Sequence, residues 1–580
     1  MNLTIFLRLM SVILIALPLT VRSEKVWVTT EMLESPPAED WLMWRRTPDS
    51  WAYSPLKQID RDNVEQLTLA WALEMEPGKQ ESTPLVHRGV MYLVHAENIV
   101  QAVDASTGDL LWEYRRELAE SVLDMFEVNM TRHLAIYEDK LFLATLDAHL
   151  VALDARTGAV VWDHEVADYT RGFSYTSGAM IFDGKVVSGI AGCTTTAPGG
   201  CFVTAHDPDT GRELWRVHSL PQPGDPAAAT WGGRPIEKRW GGSMWMSGSY
   251  DPQNDLIFWG TGVPVPYGEI QRGGSVSDQS ALYTNSTLAI DADTGERKWY
   301  RQHFPRDNWD MDHTFERFIV DREESGLERR TLVGIFGKLG IVWALDAATG
   351  NYLWSQETIF QNLVKDIDRD TGNVTINEDL IPEIDKKVDV CPSHIGGKNW
   401  NAGTYHPGTG AIYIAQNQTC MEYWLRTIDE SKFLPGKGLH EMMSSDRIIH
   451  APGKANAIGR IDAISATDGE ILWTHEQAVP WTGALLSTGG GLLIGGDGGR
   501  RLKAFDVQNG DVLWEIPLSA AITGFPVTYK TGGRQYIAVP VGGGTYLDGA
   551  LNSLSVDAHK SSGRNVLMVF ALPESTVERK

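Results

Sequence analysis

The stretch AVDASTGDLLW, residues 102–112, runs apolar to Asp104, reverses at a Thr-Gly pair and resumes as a second run ending in tryptophan. It returns as ALDARTGAVVW (152–162), AHDPDTGRELW (205–215), AIDADTGERKW (289–299), ALDAATGNYLW (344–354), AISATDGEILW (463–473) and AFDVQNGDVLW (504–514). Each copy reads as strand, turn, strand. The glycine allows the turn a positive φ, and the tryptophan supplies a large apolar face to cover a neighbouring unit.

Most of the repeat glycines lie 41 to 55 residues apart, about the length of a four-stranded propeller blade. Gaps of 84 residues before Gly295 and 119 before Gly469 mark insertions or a degenerate blade. With LTLAWALEM (67–75) counted, eight units result, and pairing of the N- and C-terminal strands would remove the exposed edges. The expected fold is all-β, an eight-bladed β-propeller with tryptophan-docking repeats, as one domain over residues 24–580. Insertions at 220–245 and 356–460 belong on loops at one end of the blades, where function concentrates. The acidic stretch 364–380 lacks EF-hand spacing and reads as a solvated loop.

The 580 residues carry a net charge of −24, from 51 Lys+Arg against 75 Asp+Glu. Such a surface repels nucleic acid and anionic membranes and suits a basic protein partner. Residues 1–23 read as a signal peptide: Arg8, an apolar run from Leu9 to Leu19, and small residues at Val21 and Ser23 before a cut at Glu24. That run is too short to span a membrane, and the rest of the chain holds no candidate span. Export to an oxidising compartment fits the four cysteines, whose simplest pairing is Cys193–Cys201 and Cys391–Cys420. On the chain-entropy account these short loops contribute about 2.5 and 3.5 kcal/mol. None lies in a C-x-x-C-H haem motif.

RDNWDMDHTF (306–315) places three aspartates, a tryptophan and a histidine within seven residues. A solvated acidic turn and a carboxylate base or metal site are both compatible with it. Together with the repeat and the leader, this segment resembles the quinoprotein alcohol dehydrogenases of the methanol/ethanol dehydrogenase group, periplasmic propellers that use pyrroloquinoline quinone (PQQ). The likeness runs from DWLMWRRTPDSWAYSPLKQI (40–59) and NVEQLTLAW (63–71) to AVPVGGG (538–544).

Position by position, the resemblance implies a cofactor floor at Trp245 in GGSMWMSGSYDP (241–252), an indole face for a planar quinone. It implies cofactor contacts from Glu81, Arg132 and Thr176, a cation at Lys338 against the quinone oxygens, and pocket walls at Asn399 and Trp481. It makes Asp310 the catalytic base, with a pKa raised by burial beside Trp309. Asp312 matches an extra aspartate of lanthanide-preferring members; on an extended strand both carboxylates would face one cation, calcium or a lanthanide.

The likeness departs at other metal ligands. The family's glutamate falls at or near Thr194 and its asparagine at Ala281, with Asn285 one further candidate about 13 Å along the strand. The adjacent-cysteine disulfide over the quinone is replaced by Phe126-Glu127, which points away from methanol toward a larger alcohol. The resemblance implies oxidation of a small-molecule alcohol, with electrons passed to a soluble cytochrome c, and leaves a homodimer open. Two other readings are a non-catalytic envelope scaffold of similar repeats and a relative with altered metal ligands and lost activity.

Overall fold

The computed structural model describes residues 27–574, apart from 127–128, 194–196, 274–278, 325–326, 437–438, 552, 556 and 559–563. The leader 1–23, Glu127 and Thr194 therefore lie outside the described residues. Along the rest, eight sheets follow one another, seven antiparallel with four strands and one of five, in which Tyr53–Ser54 adds in parallel to Leu486–Thr488. Blades 1 to 7 occupy residues 85–115, 135–165, 180–218, 249–302, 318–357, 404–477 and 486–517. Blade 8 is composite. Its strands Val527–Thr531, Arg534–Val541 and Asn565–Ala571 are completed by Thr68–Met75 from the other end of the chain, with Ala72 opposite Met568. That pairing closes the ring.

The repeat explains how blades are locked together. Each repeat glycine sits with positive φ against the tryptophan of the preceding blade. A Cβ on Gly158 would fall 2.5 Å from the Trp112 ring, and one on Gly350 2.5 Å from the Trp299 ring. The indole N–H then donates across the seam: Trp112 to Ala155 O at 3.1 Å, Trp215 to Ala292 O at 3.0 Å, Trp473 to Val507 O at 3.1 Å. In four of the turns the aspartate accepts from the backbone and hydroxyl of the threonine: Asp154 from Thr157, Asp207 from Thr210, Asp291 from Thr294 and Asp346 from Thr349. One motif thus supplies a turn, a packing face and a polar tie to the next blade.

Both predicted disulfides form. Cys391–Cys420 lies in the long insertion before and within blade 6. There strands Val388–Val390, Thr419–Leu425 and Ser444–His450 build a small sheet beside the short helix Leu439–Met443. The stretch 364–380 departs from the loop expectation. It forms a hairpin, Val364–Ile367 with Val374–Ile376, because Asp368 accepts from Thr371 in the same turn chemistry as the blades. No helix among the described residues is long and apolar enough to cross a membrane.

Candidate active site

The segment Asp307–His313 is irregular backbone, which corrects the extended strand expected for it. Asp307 organises the turn. Its Oδ1 accepts from the Trp309 N–H and its Oδ2 from the Met311 N–H, both at 2.8 Å. Asn285 Nδ2 donates to the same Oδ2 at 2.9 Å and to Met311 O at 2.9 Å, so Asn285 serves the loop through this amide. The clamp holds Asp310 at φ 66°, a left-handed conformation costing about 1–2 kcal/mol for a non-glycine residue.

The two side chains meet at one cation all the same. Lys338 Nζ lies 3.2 Å from Asp310 Oδ2 and 2.9 Å from Asp312 Oδ2, and donates to Asp310 O at 2.9 Å. Asp312 Oδ1 accepts from Val263 N–H at 3.2 Å, passing so close to Gly262 that a Cβ there would sit 2.5 Å from it. Burial pushes the Asp310 carboxyl well above the usual carboxylate range; the Lys338 ammonium pulls it back, and Asp312 and Asp307 push it up again. Burial alone would lower Lys338, but Asp310 and then Asp312 outweigh it and hold the ammonium charged.

A second group gathers around Arg132. Its guanidinium lies 2.5 Å from Glu81 and donates to Thr176 O at 2.9 Å and Trp245 O at 3.3 Å. It stands 5.2 Å from the Trp245 ring centroid and 6.0 Å from that of Trp400. Thr176 Oγ1 also donates to Trp245 O, at 3.4 Å. Phe315 meets the Trp245 ring edge-on at 5.6 Å. Residues contributed from blade 8 round to blade 4 thus converge on one half-buried indole.

The turn 395–400 joins the two groups. Asn399 donates to Ile395 O at 2.7 Å and accepts from the Trp400 N–H at 2.9 Å. Gly397 N–H donates to Lys338 O at 2.7 Å. Trp481 stands apart: its indole is buried against Phe505 and lies 5.5 Å from Lys503. It is tied to this centre through Asn417, which bonds both its N–H and C=O and donates its own N–H to Gly397 O. Sequence reading missed Trp400, Phe315 and Asp307, although KNWN and DNWD carry the first and last. Ala281, at the family's asparagine position, packs in an apolar cluster with Leu220 and Trp231.

A quinone bearing three carboxylates needs convergent donors. Among the described residues, buried Arg132 Nε, Trp400 Nε1 and Thr83 Oγ1 have no hydrogen-bond partner, and the Thr83 N–H donates to Arg132 O at 2.8 Å. These donors around an open indole face fit PQQ. For a hard cation, the described donors at the same place are the Asp310 and Asp312 carboxylates, both paired with Lys338.

Residues 41–360 and 358–537 match the family described as glucose/ethanol/alcohol dehydrogenase, beta-propeller domain. The chain is 32% identical over 555 residues to a quinohemoprotein alcohol dehydrogenase, ADH IIB, of Pseudomonas putida, covering 92% of this chain and 77% of that protein. It is 32% identical over 533 residues to a quinoprotein ethanol dehydrogenase of Pseudomonas aeruginosa, covering 85% and 84%. Among solved structures, a europium-containing methanol dehydrogenase superposes with a TM-score of 0.85 at 26% identity, over 93% of this chain and 99% of that one. With the ring, the docked tryptophans and the donor-lined indole already in place, these matches settle the family: the chain belongs to the PQQ-dependent quinoprotein alcohol dehydrogenases.

Proposed function

We propose that this protein oxidises an alcohol to the aldehyde or ketone, with Asp310 as the base. The observation that carries the reading is the buried Asp310–Lys338–Asp312 cluster, linked through the 395–400 turn to the Arg132–Trp245 cradle. Bound PQQ supplies the acceptor for the hydrogen and electron pair leaving the carbinol carbon. The Trp245 face would support the ring, with Arg132, Thr83 and Trp400 holding its carboxylates. Asp310 Oδ2 is engaged by Lys338, which leaves Oδ1 to accept the substrate hydroxyl proton. The raised pKa makes that carboxylate a stronger base than one in water. Without a metal ion, Lys338 holds the countercharge beside it. Calcium or a lanthanide would be held by Asp310 and Asp312, exchanging with the ammonium, and would polarise oxygen as a Lewis acid.

The finer assignments rest on the sequence. The leader favours the periplasm, and the net charge of −24 favours a basic soluble cytochrome c as electron acceptor, with a rate that falls as salt rises. The test uses protein reconstituted with PQQ and calcium or a light lanthanide, and a redox dye. Alcohol-dependent dye reduction is expected, falling by about 10²–10⁴-fold in Asp310→Asn while cofactor absorption remains. Full activity in that variant overturns the base assignment.

A further inference from the structure

Three side chains in the long insertion converge with no role in the cluster above. His394 follows the Cys391–Cys420 disulfide in the turn leading to Asn399, His440 lies on the helix Leu439–Met443, and Asp446 on the strand Ser444–His450. One donor atom from each lies within 4.8 Å of the other two. Asp446 Oδ1 is 2.8 Å from His440 Nε2, and its Oδ2 is 3.7 Å from His394 Nδ1. The two imidazole centroids are 4.2 Å apart at 33°. We propose that His394, His440 and Asp446 form a binding site for a divalent transition ion of the zinc class, separate from the Asp310–Asp312 carboxylates.

The donor chemistry selects the ion. Two imidazoles and one carboxylate suit zinc, whereas calcium and magnesium prefer sets built of oxygen. His394 is buried in the wall of the site. A thioether, Met421 Sδ, lies 3.4 Å from His394 Nδ1 and adds a soft atom to the wall. On binding, the ion takes the place of the direct contact between His440 Nε2 and Asp446 Oδ1.

Tetrahedral zinc at about 2.1 Å sets its ligands roughly 3.4 Å apart, so the widest pair must close by at most about 1.4 Å. His440, partly exposed on its five-residue helix, can move without disturbing a blade. With three protein ligands the ion keeps a fourth position for water. The site also borders the catalytic cluster: three residues after His394, the Gly397 N–H donates to Lys338 O at 2.7 Å. A bound ion would pin the insertion against that wall.

The test titrates zinc into full-length, chelator-stripped protein without quinone, followed by calorimetry, and repeats it with cobalt(II) to read the visible bands of a tetrahedral nitrogen–oxygen site. One equivalent with submicromolar Kd is expected, undisturbed by excess calcium. His440→Ala and Asp446→Asn should each weaken binding by about 100-fold or more, while Asp312→Asn leaves it unchanged. Wild-type protein that takes no zinc below millimolar concentration overturns the proposal, whatever the folding of the variants. So does zinc binding that survives in both folded variants or disappears in Asp312→Asn.

Discussion

The Lys338 ammonium lies 2.9 Å from Asp312 Oδ2, the shorter of its two carboxylate contacts, with Asp310 Oδ2 at 3.2 Å. Asp312 thus shares the countercharge of the proposed base and sets how strongly Lys338 can lower the Asp310 pKa.

Replacing Lys338 by methionine leaves two buried carboxylates facing each other with no cation between them. Breaking a buried pair of this kind costs about 3–5 kcal/mol, and the Asp310 carboxyl should rise further. We expect turnover to fall by about 10³-fold or more and the melting temperature to drop, with Lys338→Arg recovering part of each. Dye-linked assays and calorimetric scans of the three proteins measure this; an unchanged turnover in the methionine variant contradicts the arrangement.

Gly262→Ala tests the position of Asp312 without touching a charge. The new Cβ would stand 2.5 Å from Asp312 Oδ1, so the carboxylate must move off Val263 N–H and away from Lys338. A loss of about 10–100-fold in kcat/KM with an unaltered circular dichroism spectrum is the expected result. Wild-type kinetics would mean that Asp312 has room the structure does not show.

Two left-handed glycines separate blade docking from backbone strain. Gly350, at φ 72°, would place a Cβ 2.5 Å from Trp299, whereas Gly532, at φ 56°, has nothing within 4 Å. Alanine at Gly532 should cost about 1 kcal/mol from conformation alone, and alanine at Gly350 about 2–3 kcal/mol, because the indole must also shift. Urea unfolding midpoints of the pair decide this, and equal losses would remove the docking role of the glycine.

Acid should destabilise the propeller through its buried histidines. Burial pushes His133 down to about 3 and His95 and His206 down to about 4. Their folded values lie below the unfolded value near 6.5, so the stability they contribute is complete above that pH and is lost as pH falls toward 4 and 3. Each contributes a slope of about 1.4 kcal/mol per pH unit in that window. Asp49, raised to about 6 chiefly by burial, works the other way: its contribution is present below 3.8 and lost as pH rises through 6. The three histidines outweigh Asp49 between these pH values, so a lower urea midpoint is expected at pH 4.5 than at pH 7; a flat profile refutes their dominance.

The architecture was legible because its information is local and repeated. The turn residues, the glycine and the tryptophan of each copy lie within eleven residues and act on one turn and the next blade, so spacing alone disclosed the ring. The candidate site was legible position by position through family likeness, including the convergence of Glu81, Arg132, Thr176 and Trp245. The backbone of Asp307–His313 was not. Its shape depends on Asn285 from 22 residues upstream, which no local periodicity encodes. Trp481 showed the converse: a matching motif placed it in a pocket, yet its ring is packed between Phe505 and Lys503.

By itself the sequence determined the blade repeat, the closure partner Thr68–Met75, both disulfide pairings and membership of the quinoprotein dehydrogenases. Each follows from short-range chemistry or from motifs long enough to exclude chance. Only the tertiary structure decided that Lys338 bridges Asp310 and Asp312, and that His394 meets His440 and Asp446. Those groups lie 26 to 52 residues apart in the chain, and their meeting is fixed by how blades and insertions pack. Packing of that kind leaves no periodic trace in the order of residues.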